Sequence, residues 1–425
     1  MTASPVGNGP RAWWTEAVSR PVFSVIIPVH GKWELTRDCL VSLRDHTPDW
    51  DYEVLVADNA SPDATATELA PLGESLFGPR FRRLRLDENR NFGPACNLAA
   101  QEATAPLLFF LNNDTLLTPG WAEPLVRALQ RDKAPGAVGP LLLYPDDTVQ
   151  HLGIAFSPSG LSHLYRGFSA KHPVVRRTRQ LQAITAAALM LPARIFWDSG
   201  GFFEGYCNGF EDVDLCLAIR RQGKTLECAP QSVVCHLESQ TPGRNDRYQA
   251  NAVLLGERCA GAFHADVHHH ALRDGFQVFV DDFFDIGVRL KPGDEAVLTA
   301  QAQELPLADR LRLCREHLYW VTGREHLAAW LEEQGDLAHA LQLRVEVANI
   351  LGTEASYMPV ARLAALTDNA KLLAIADQHI RQAAGYRTDK RQAAVRLRSI
   401  LKTAGAGSGD LLERLCREKF RAMHP

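Results

Sequence analysis

Residues 22–29 read VFSVIIPV, and this run decides the architecture. A continuous apolar stretch of strand length fits a strand buried on both faces, which occurs in sheets covered by helices on each side. Working outward, residues 35–43 carry helical spacing, and YEVLVA at 52–57 forms a second strand that ends in the turn cluster Asp58-Asn59-Ala60-Ser61-Pro62. A short helix is expected over 65–72, a third strand over 81–86, a helix over 93–103 and a fourth strand over 106–111 (PLLFFL). Strands alternating with helices imply βαβ units and a mostly parallel, Rossmann-like sheet of the α/β class. Ligands of such sheets bind at the carboxyl ends of strands. The polar clusters fall at those ends: Asp58, then Asn89-Arg90-Asn91, then Asn112-Asn113-Asp114.

Between 140 and 200 the pattern is mixed. A helix is then clear over 210–221 (FEDVDLCLAIRR), closed by Gly223, and a strand-like stretch ends at Val233-Val234-Cys235-His236. After about 265 the character changes. His268-His269-His270, read as an exposed turn rather than a metal site, and Asp281-Asp282 flank an aromatic stretch with Phe276, Phe279, Phe283 and Phe284. From Asp294 onward the pattern is helical. Leu307-Ala308-x-x-Leu311-x-Leu313 recurs thirty residues on as Leu337-Ala338-x-x-Leu341-x-Leu343. Paired helices of the tetratricopeptide kind and an irregular helical bundle both accommodate that spacing. The expected organisation is a flexible segment over 1–20, an α/β domain over 21–265, and an all-α, tetratricopeptide-like domain over 266–425.

Composition narrows the function. Of 425 residues 46% are hydrophobic and 23% charged, with a formal charge of −4, which fits a globular chain and gives no basic footprint for nucleic acid. Arg80, Arg82, Arg83 and Arg85 alternate with apolar residues and read as the solvated face of a strand. No apolar run approaches the ~20 residues of a membrane helix, and the first twenty residues lack a charged start followed by an apolar core. The nine cysteines include no CxxC pair, which fits scattered core thiols in a reducing cytosol. A cytoplasmic location is expected, with the inner face of the membrane as a further option.

Four clusters carry chemistry. Asn112-Asn113-Asp114 follows an apolar strand, where a carboxylate is placed to hold Mn²⁺ or Mg²⁺ against phosphate oxygens. Asp58 is placed to accept from a base or ribose, or to form an Asx turn with Asn59 and Ser61. Glu211-Asp212 opens a helix, where a carboxylate acts either as a general base or as a helix cap. Asp212-Val213-Asp214 is a poor chelator, because positions i and i+2 on a helix point about 200° apart; Asp214 is expected to face elsewhere, toward an arginine. His236 is a further metal-ligand candidate or a structural imidazole.

These residues, in order, resemble the family-2 glycosyltransferases with the GT-A fold, especially the bacterial rhamnosyltransferase-like group. The resemblance is carried by residues 25–29 (VIIPV), 56–61 (VADNAS), 89–97 (NRNFGPACN), 111–115 (LNNDT), 209–216 (GFEDVDLC) and 235–239 (CHLES), and covers roughly 21–262. It implies inverting transfer from a nucleoside-diphosphate sugar, a UDP- or dTDP-sugar, to a glycan or protein acceptor. Pro28, Val29, His30 and Glu34 would border the nucleotide and Asp58 the base. Asn91, Gly93 and Asn97 would lie near the ribose or donor pocket, with Asn112 and Asn113 beside them. Asp114 stands where the family has the last acid of its D-x-D, Asp212 matches the base with Glu211 beside it, and His236 matches a histidine near the diphosphate and metal. Residues 150–153 (QHLG) match a segment near the acceptor side. Two departures are Asn112 at the first D-x-D position and His30 where the family often has Asn. Competing readings are a sugar-nucleotide-forming nucleotidyltransferase, which the segment 28–32 (PVHGK) fits poorly, and a degenerate sugar-nucleotide-binding domain on a helical scaffold that recruits a protein partner.

Overall fold

The computed structural model describes residues 21–47, 49–237, 247–405 and 409–425. The N-terminal half runs β1 (Phe23–Val29), α1 (Trp33–His46), β2 (Tyr52–Asp58), α2 (Thr65–Phe77), β3 (Phe81–Arg85), α3 (Phe92–Gln101), β4 (Leu107–Leu111), β5 (Thr115–Leu117), α4 (Ala122–Gln130) and β6 (Ala137–Leu143). The region of mixed pattern resolves into β7 (Val149–His151), β8 (Ile154–Ser157), β9 (Gly160–His163), β10 (Arg179–Leu181), β11 (Ala188–Pro192) and α5 (Ala193–Asp198), followed by α6 (Glu211–Arg221), β12 (Leu226–His236) and α7 (Tyr248–Arg258).

Ten strands form one sheet in the order β10-β12-β6-β11-β4-β1-β2-β3, with β5 on β12 and β7 on β6. β4, β1, β2 and β3 are parallel, and β6 and β12 are parallel to each other. β11 lies antiparallel between β4 and β6 and joins the two parallel groups. All seven residues of β2 are buried, as are six of seven in β1. This is the apolar-on-both-faces pattern that 22–29 announces. One apolar layer packs Phe23, Phe109 and Trp121 under α1 and α4; the other packs Ile26, Phe110, Phe196 and Phe202 under α3 and α6. α2 runs past its expected end at 72 because Pro71 does not stop it; the helix closes at Gly78, in a left-handed conformation with φ 57°.

The second half holds α8 (Val267–Arg273), β13 (Gln277–Val280), β14 (Ile286–Arg289), α9 (Pro292–Ala302), α10 (Leu307–Glu316), α11 (Val321–Glu333), α12 (Leu337–Leu351), α13 (Glu354–Leu366), α14 (Ala370–Thr388), α15 (Lys390–Ala404) and α16 (Gly409–Met423). It is helical apart from the β13–β14 hairpin. The two Leu-Ala repeats open α10 and α12, and α11 to α14 pack each on the next. The three histidines are not an exposed turn: they lie in α8, with His268 and His270 buried. The hairpin tip is tied on several sides. Asp282 accepts from Glu354 N at 2.8 Å and pairs with Lys419 at 2.6 Å. Arg396 donates to Phe283 O at 3.0 Å, and Ser159, in the β8–β9 turn, donates to Asp285. One buried apolar cluster runs from Ile26 in the sheet to Ala376 in α14. Among the described residues no helix is long and apolar enough to cross a membrane. All nine cysteines are free thiols and seven are buried.

Candidate functional site

The carboxyl ends of β1, β2, β3 and β4 carry the first set of residues. Asp58 closes β2 with its side chain fully buried. Its Oδ1 accepts from Ser61 N at 2.9 Å. Its Oδ2 accepts from Arg83 Nη2 at 2.5 Å and from Arg85 Nη1 at 2.7 Å. Burial works against the charged form, yet the hydrogen bonds from Arg85, Ser61 and Arg83 outweigh it and hold this carboxyl below its usual range. The arginine row is therefore more than a solvated strand face: two of its members neutralise a buried acid. The 58–61 turn is fixed further by Gly31 N donating to Ser61 Oγ at 2.9 Å and by His30 Nδ1 donating to Asn59 O at 2.7 Å. Pro28 is half-buried and Val29 buried at the strand end, while His30 and Glu34 are exposed.

Asn59 links this edge to the next loop. It donates to Asn91 O at 3.0 Å and accepts from Arg90 N at 2.7 Å. Asn91, held at φ 66°, accepts from Asn208 Nδ2 at 3.3 Å. Gly93 and Asn97 face inward, toward the loop at 201–204, instead of the strand ends. A Cβ on Gly93 would come within 3.3 Å of Phe202 Cβ. Asn97 clamps Phe202 from both sides, donating to its carbonyl at 2.8 Å and accepting from its N–H at 3.0 Å.

The second set sits beyond β4. Asp114 Oδ1 and His236 Nε2 are 3.1 Å apart, and Asn112 Nδ2 lies 3.5 Å from the same nitrogen. β12 delivers His236 there because it pairs with β5, directly opposite Thr115. Asn113 turns to α1, donating to Thr36 Oγ1 at 2.9 Å. His236 is buried, and its Nδ1 has no hydrogen-bond partner among the described residues. Glu238 and Ser239, the end of the quoted motif, lie outside the described residues. A carboxylate oxygen and an imidazole nitrogen at one point fit Mn²⁺ or Mg²⁺ ligation. No group of three or more His, Cys, Asp or Glu that could hold an ion exists among the described residues, so most ligands would come from substrate oxygens and water, as such cations accept.

The third set opens α6. Glu211 Oε2 accepts from Gly209 N at 2.6 Å, so this buried side chain caps its own loop. Asp212 is half-buried; Oδ1 accepts from Val213 N at 2.8 Å and Oδ2 from Ala186 N at 3.2 Å. Asp214 points away, as the helix angle requires, to Arg258 at 2.6 Å and Tyr206 at 3.0 Å.

Two features, the segment at 185–187 and Asn251, escape a sequence reading, and His151 enters it only as part of the 150–153 segment. The segment at 185–187 joins the sets: Ala186 N donates to Asp212, and Ala187 O accepts from Asn112 N at 2.9 Å. His151, fully buried, accepts from Thr185 N at 3.3 Å through Nε2. An amide N–H only donates, so the proton of His151 sits on Nδ1 and is donated to His163 Nδ1 at 2.8 Å. Burial, with His163 and His236 nearby, pushes the His151 pKa well down and keeps the ring neutral. Asn251 holds the loop before α6, donating to Cys207 O and Gly209 O at 3.0 Å each. A polar Asn inside the apolar helical stretch 248–255 is the one sequence signal that marks it.

With this geometry in view, comparison with known proteins gives the class. Residues 24–173 match the family described as glycosyl transferase family 2, and the chain spans less than a third of the length of the first curated relatives it matches. The chain is 34% identical over 226 residues to the O-antigen biosynthesis protein RfbC of Myxococcus xanthus, covering 52% of this chain and 17% of that protein. It is 26% identical over 242 residues to an N-acetylglucosaminyl-diphospho-decaprenol L-rhamnosyltransferase of Mycobacterium tuberculosis, covering 50% of this chain and 77% of that protein. Among solved structures, the mannosyltransferase PcManGT of Pyrobaculum calidifontis, in complex with GDP-Man and Mn²⁺, aligns at 16% identity and a TM-score of 0.43, covering 91% of this chain and 86% of that one.

Proposed function

We propose that this glycosyltransferase moves a sugar from a UDP- or dTDP-sugar to a glycan or protein acceptor with inversion, in a single displacement. The observation that carries the reading is the segment at 185–187. Its adjacent backbone groups hold Asp212 on one side and the Asn112 turn on the other. A candidate base and a candidate diphosphate site are thereby fixed to one short piece of backbone. Reaction across such a gap depends on holding both partners in register.

In this reading Asp212 accepts the proton of the acceptor hydroxyl as it attacks the anomeric carbon. Its hydrogen bonds from Val213 N and Ala186 N orient the carboxylate. Glu211 fixes the loop ahead of it. Asp114 and His236 would hold Mn²⁺ or Mg²⁺, which would supply charge neutralisation for the departing diphosphate. Asn112 borders the nucleotide sugar beside them, and Asn113 anchors the turn to α1. Pro28, Val29, His30 and Glu34 border the nucleotide together with the 58–61 turn. Asp58 and Asn91 shape that turn and its neighbour, and a base reaches Asp58 only at the remaining lone pair of Oδ1 or by displacing Arg85. Gly93 and Asn97 support the donor pocket from beneath through the 201–204 loop. The helical region, read as tetratricopeptide-like, recruits a protein partner or a protein acceptor, and the reaction takes place in the cytoplasm or at the inner membrane face.

The test is release of nucleoside diphosphate from a panel of UDP-, dTDP- and GDP-sugars with Mn²⁺, Mg²⁺ or EDTA. Metal-dependent turnover of one donor, lost in Asp114→Ala and Asp212→Ala, is expected. Turnover that survives both substitutions removes the assignment. Failure of every donor to bind in calorimetry favours the degenerate-scaffold reading instead.

A further inference from the structure

The geometry points to Phe210 and Tyr248 as the platform on which a pyranose ring of the acceptor lies, a binding subsite beside Asp212. It rests on the transferase reading above and names the acceptor chemistry that reading leaves open.

Phe210 is the N-cap of α6, two residues before Asp212, and sits at φ 75°. A bulky aromatic side chain is strained in that left-handed region, and such strain persists only where the surroundings impose it. The surroundings do so at several points. Asn208 is also left-handed at φ 51°. Asn251 bonds the N–H and carbonyl of Cys207 and the carbonyl of Gly209, and Glu211 accepts from Gly209 N. All this fixing delivers an aromatic ring to the edge of the site, where an unstrained cap such as Asn or Ser would close the helix equally well.

The second ring comes from α7. Tyr248, Asn251, Leu255 and Arg258 recur at three- and four-residue spacing along one stripe of that helix. Leu255 is buried, Asn251 holds the 207–209 loop, and Arg258 pairs with Asp214 and lies 3.3 Å from the Phe203 ring centroid. The same stripe brings Tyr248 to Phe210, with centroids 5.1 Å apart at 59°. Yet Tyr248 is 44% exposed and Phe210 only half-buried. A helix seated by three buried or paired contacts thus ends in an aromatic pair left open to solvent beside the candidate base.

Such a pair matches a sugar ring. The C–H face of a pyranose is apolar with a partial positive charge, and it packs against the negative face of an aromatic ring. The phenol hydroxyl of Tyr248 meets the hydroxyls at the ring edge. The acceptor, not the donor, is the occupant, because Phe210 caps the helix that carries Asp212 two residues on, whereas the proposed diphosphate site at Asp114 and His236 meets the segment at 185–187 through Asn112 and Ala187 instead.

The experiment is saturation-transfer NMR with a panel of methyl pyranosides and methyl disaccharides on the full chain, with UDP or dTDP and Mn²⁺ present. Tyr248→Ala, Tyr248→Phe and Phe210→Gly run beside wild type; position 248 is exposed, and glycine relieves the strain at 210, so the fold tolerates all three. Saturation of ring C–H protons is expected for at least one saccharide. It falls about fivefold, the equivalent of one stacked ring, in Tyr248→Ala and survives in Tyr248→Phe. Absence of ring saturation in wild type, or undiminished saturation in Tyr248→Ala, overturns the platform. Calorimetry separates the remaining causes. Weakened sugar-nucleotide binding in Tyr248→Ala assigns the rings to the donor hexose and also overturns it. A wild-type protein that binds no nucleotide sinks the transferase reading, whatever the ring signals show.

Discussion

Replacing Asp58 with Asn tests whether the end of β2 is framework as well as ligand. The substitution keeps shape and removes one charge from a fully buried position. Three guanidinium N–H groups converge on Oδ2: Arg83 Nε at 3.1 Å, Arg83 Nη2 at 2.5 Å and Arg85 Nη1 at 2.7 Å. Removing one partner of a fully buried ion pair costs about 3–5 kcal/mol. Arg83 and Arg85 are 19% and 43% exposed, so water recovers part of their solvation. A net loss of about 3 kcal/mol follows, at the lower end of that range. With an unfolding entropy of ~2.1 cal/mol/K per residue, it lowers Tm by about 3–4 °C if the chain unfolds as one unit. The assay is tryptophan-fluorescence melting across pH. The Asp58 carboxyl is held below its ordinary value of 3.8, so its stabilisation is complete above that value and is lost as pH falls through the lower, folded one. The gap between wild type and variant is therefore flat from about pH 8 to 5. A variant that melts within about 1 °C of wild type at pH 7 refutes the reasoning and leaves Asp58 to ligand binding alone.

Asn251→Ala strips three hydrogen bonds from the 207–209 loop; at roughly 1 kcal/mol each, amide hydrogen exchange at 207–210 speeds up more than tenfold while exchange along β1 and β2 is unchanged. His236→Ala weakens Mn²⁺-dependent nucleotide binding by about tenfold, or 1.4 kcal/mol, in calorimetry, and leaves metal-free binding as it was. Burial, with His317 nearby, lowers the His172 pKa from 6.5 to about 4. The folded ring refuses a proton that the unfolded chain accepts, so its contribution is full above pH 6.5 and falls between 6.5 and about 4; His172→Phe makes that stretch of the Tm profile shallower, leaving the slope that the other buried histidines, His151 among them, contribute.

How much was legible in advance follows from what kind of signal each element gives. β1, β2 and β4 are apolar on both faces, and composition alone reveals such strands. The turns after them are polar because backbone groups leaving the sheet need side-chain partners, as Ser61 N finds Asp58 Oδ1. The region over 140–200 was opaque because its strands are three to seven residues long and several pair antiparallel, leaving neither a helical period nor a long apolar run. Asp114 and His236 were nominated separately, but their 3.1 Å approach depends on β5 pairing with β12 across 122 positions of chain. Asn97 shows the opposite case: the resemblance places it near the donor pocket, and no sequence signal reveals that its side chain bonds the backbone of Phe202. The histidines at 268–270 looked like solvent-exposed polar residues, and α8 buries two of them.

The hairpin tip at 281–285 has a consequence for the gene as well as the molecule. It is bonded at once to α13, α15, α16 and the β8–β9 turn, whose second strand ends in His163. A chain ended at 265 loses the partner of Ser159 and cuts open the apolar cluster that runs from Ile26 to Ala376. The helical region is therefore a poor unit of exchange. Recombination that swaps it intact onto another α/β domain must find matching residues at 159 and along β8, or the recipient exposes an apolar surface and aggregates. Divergence of the helical region is then expected to proceed by point substitution on the outer helices, with the joint itself kept.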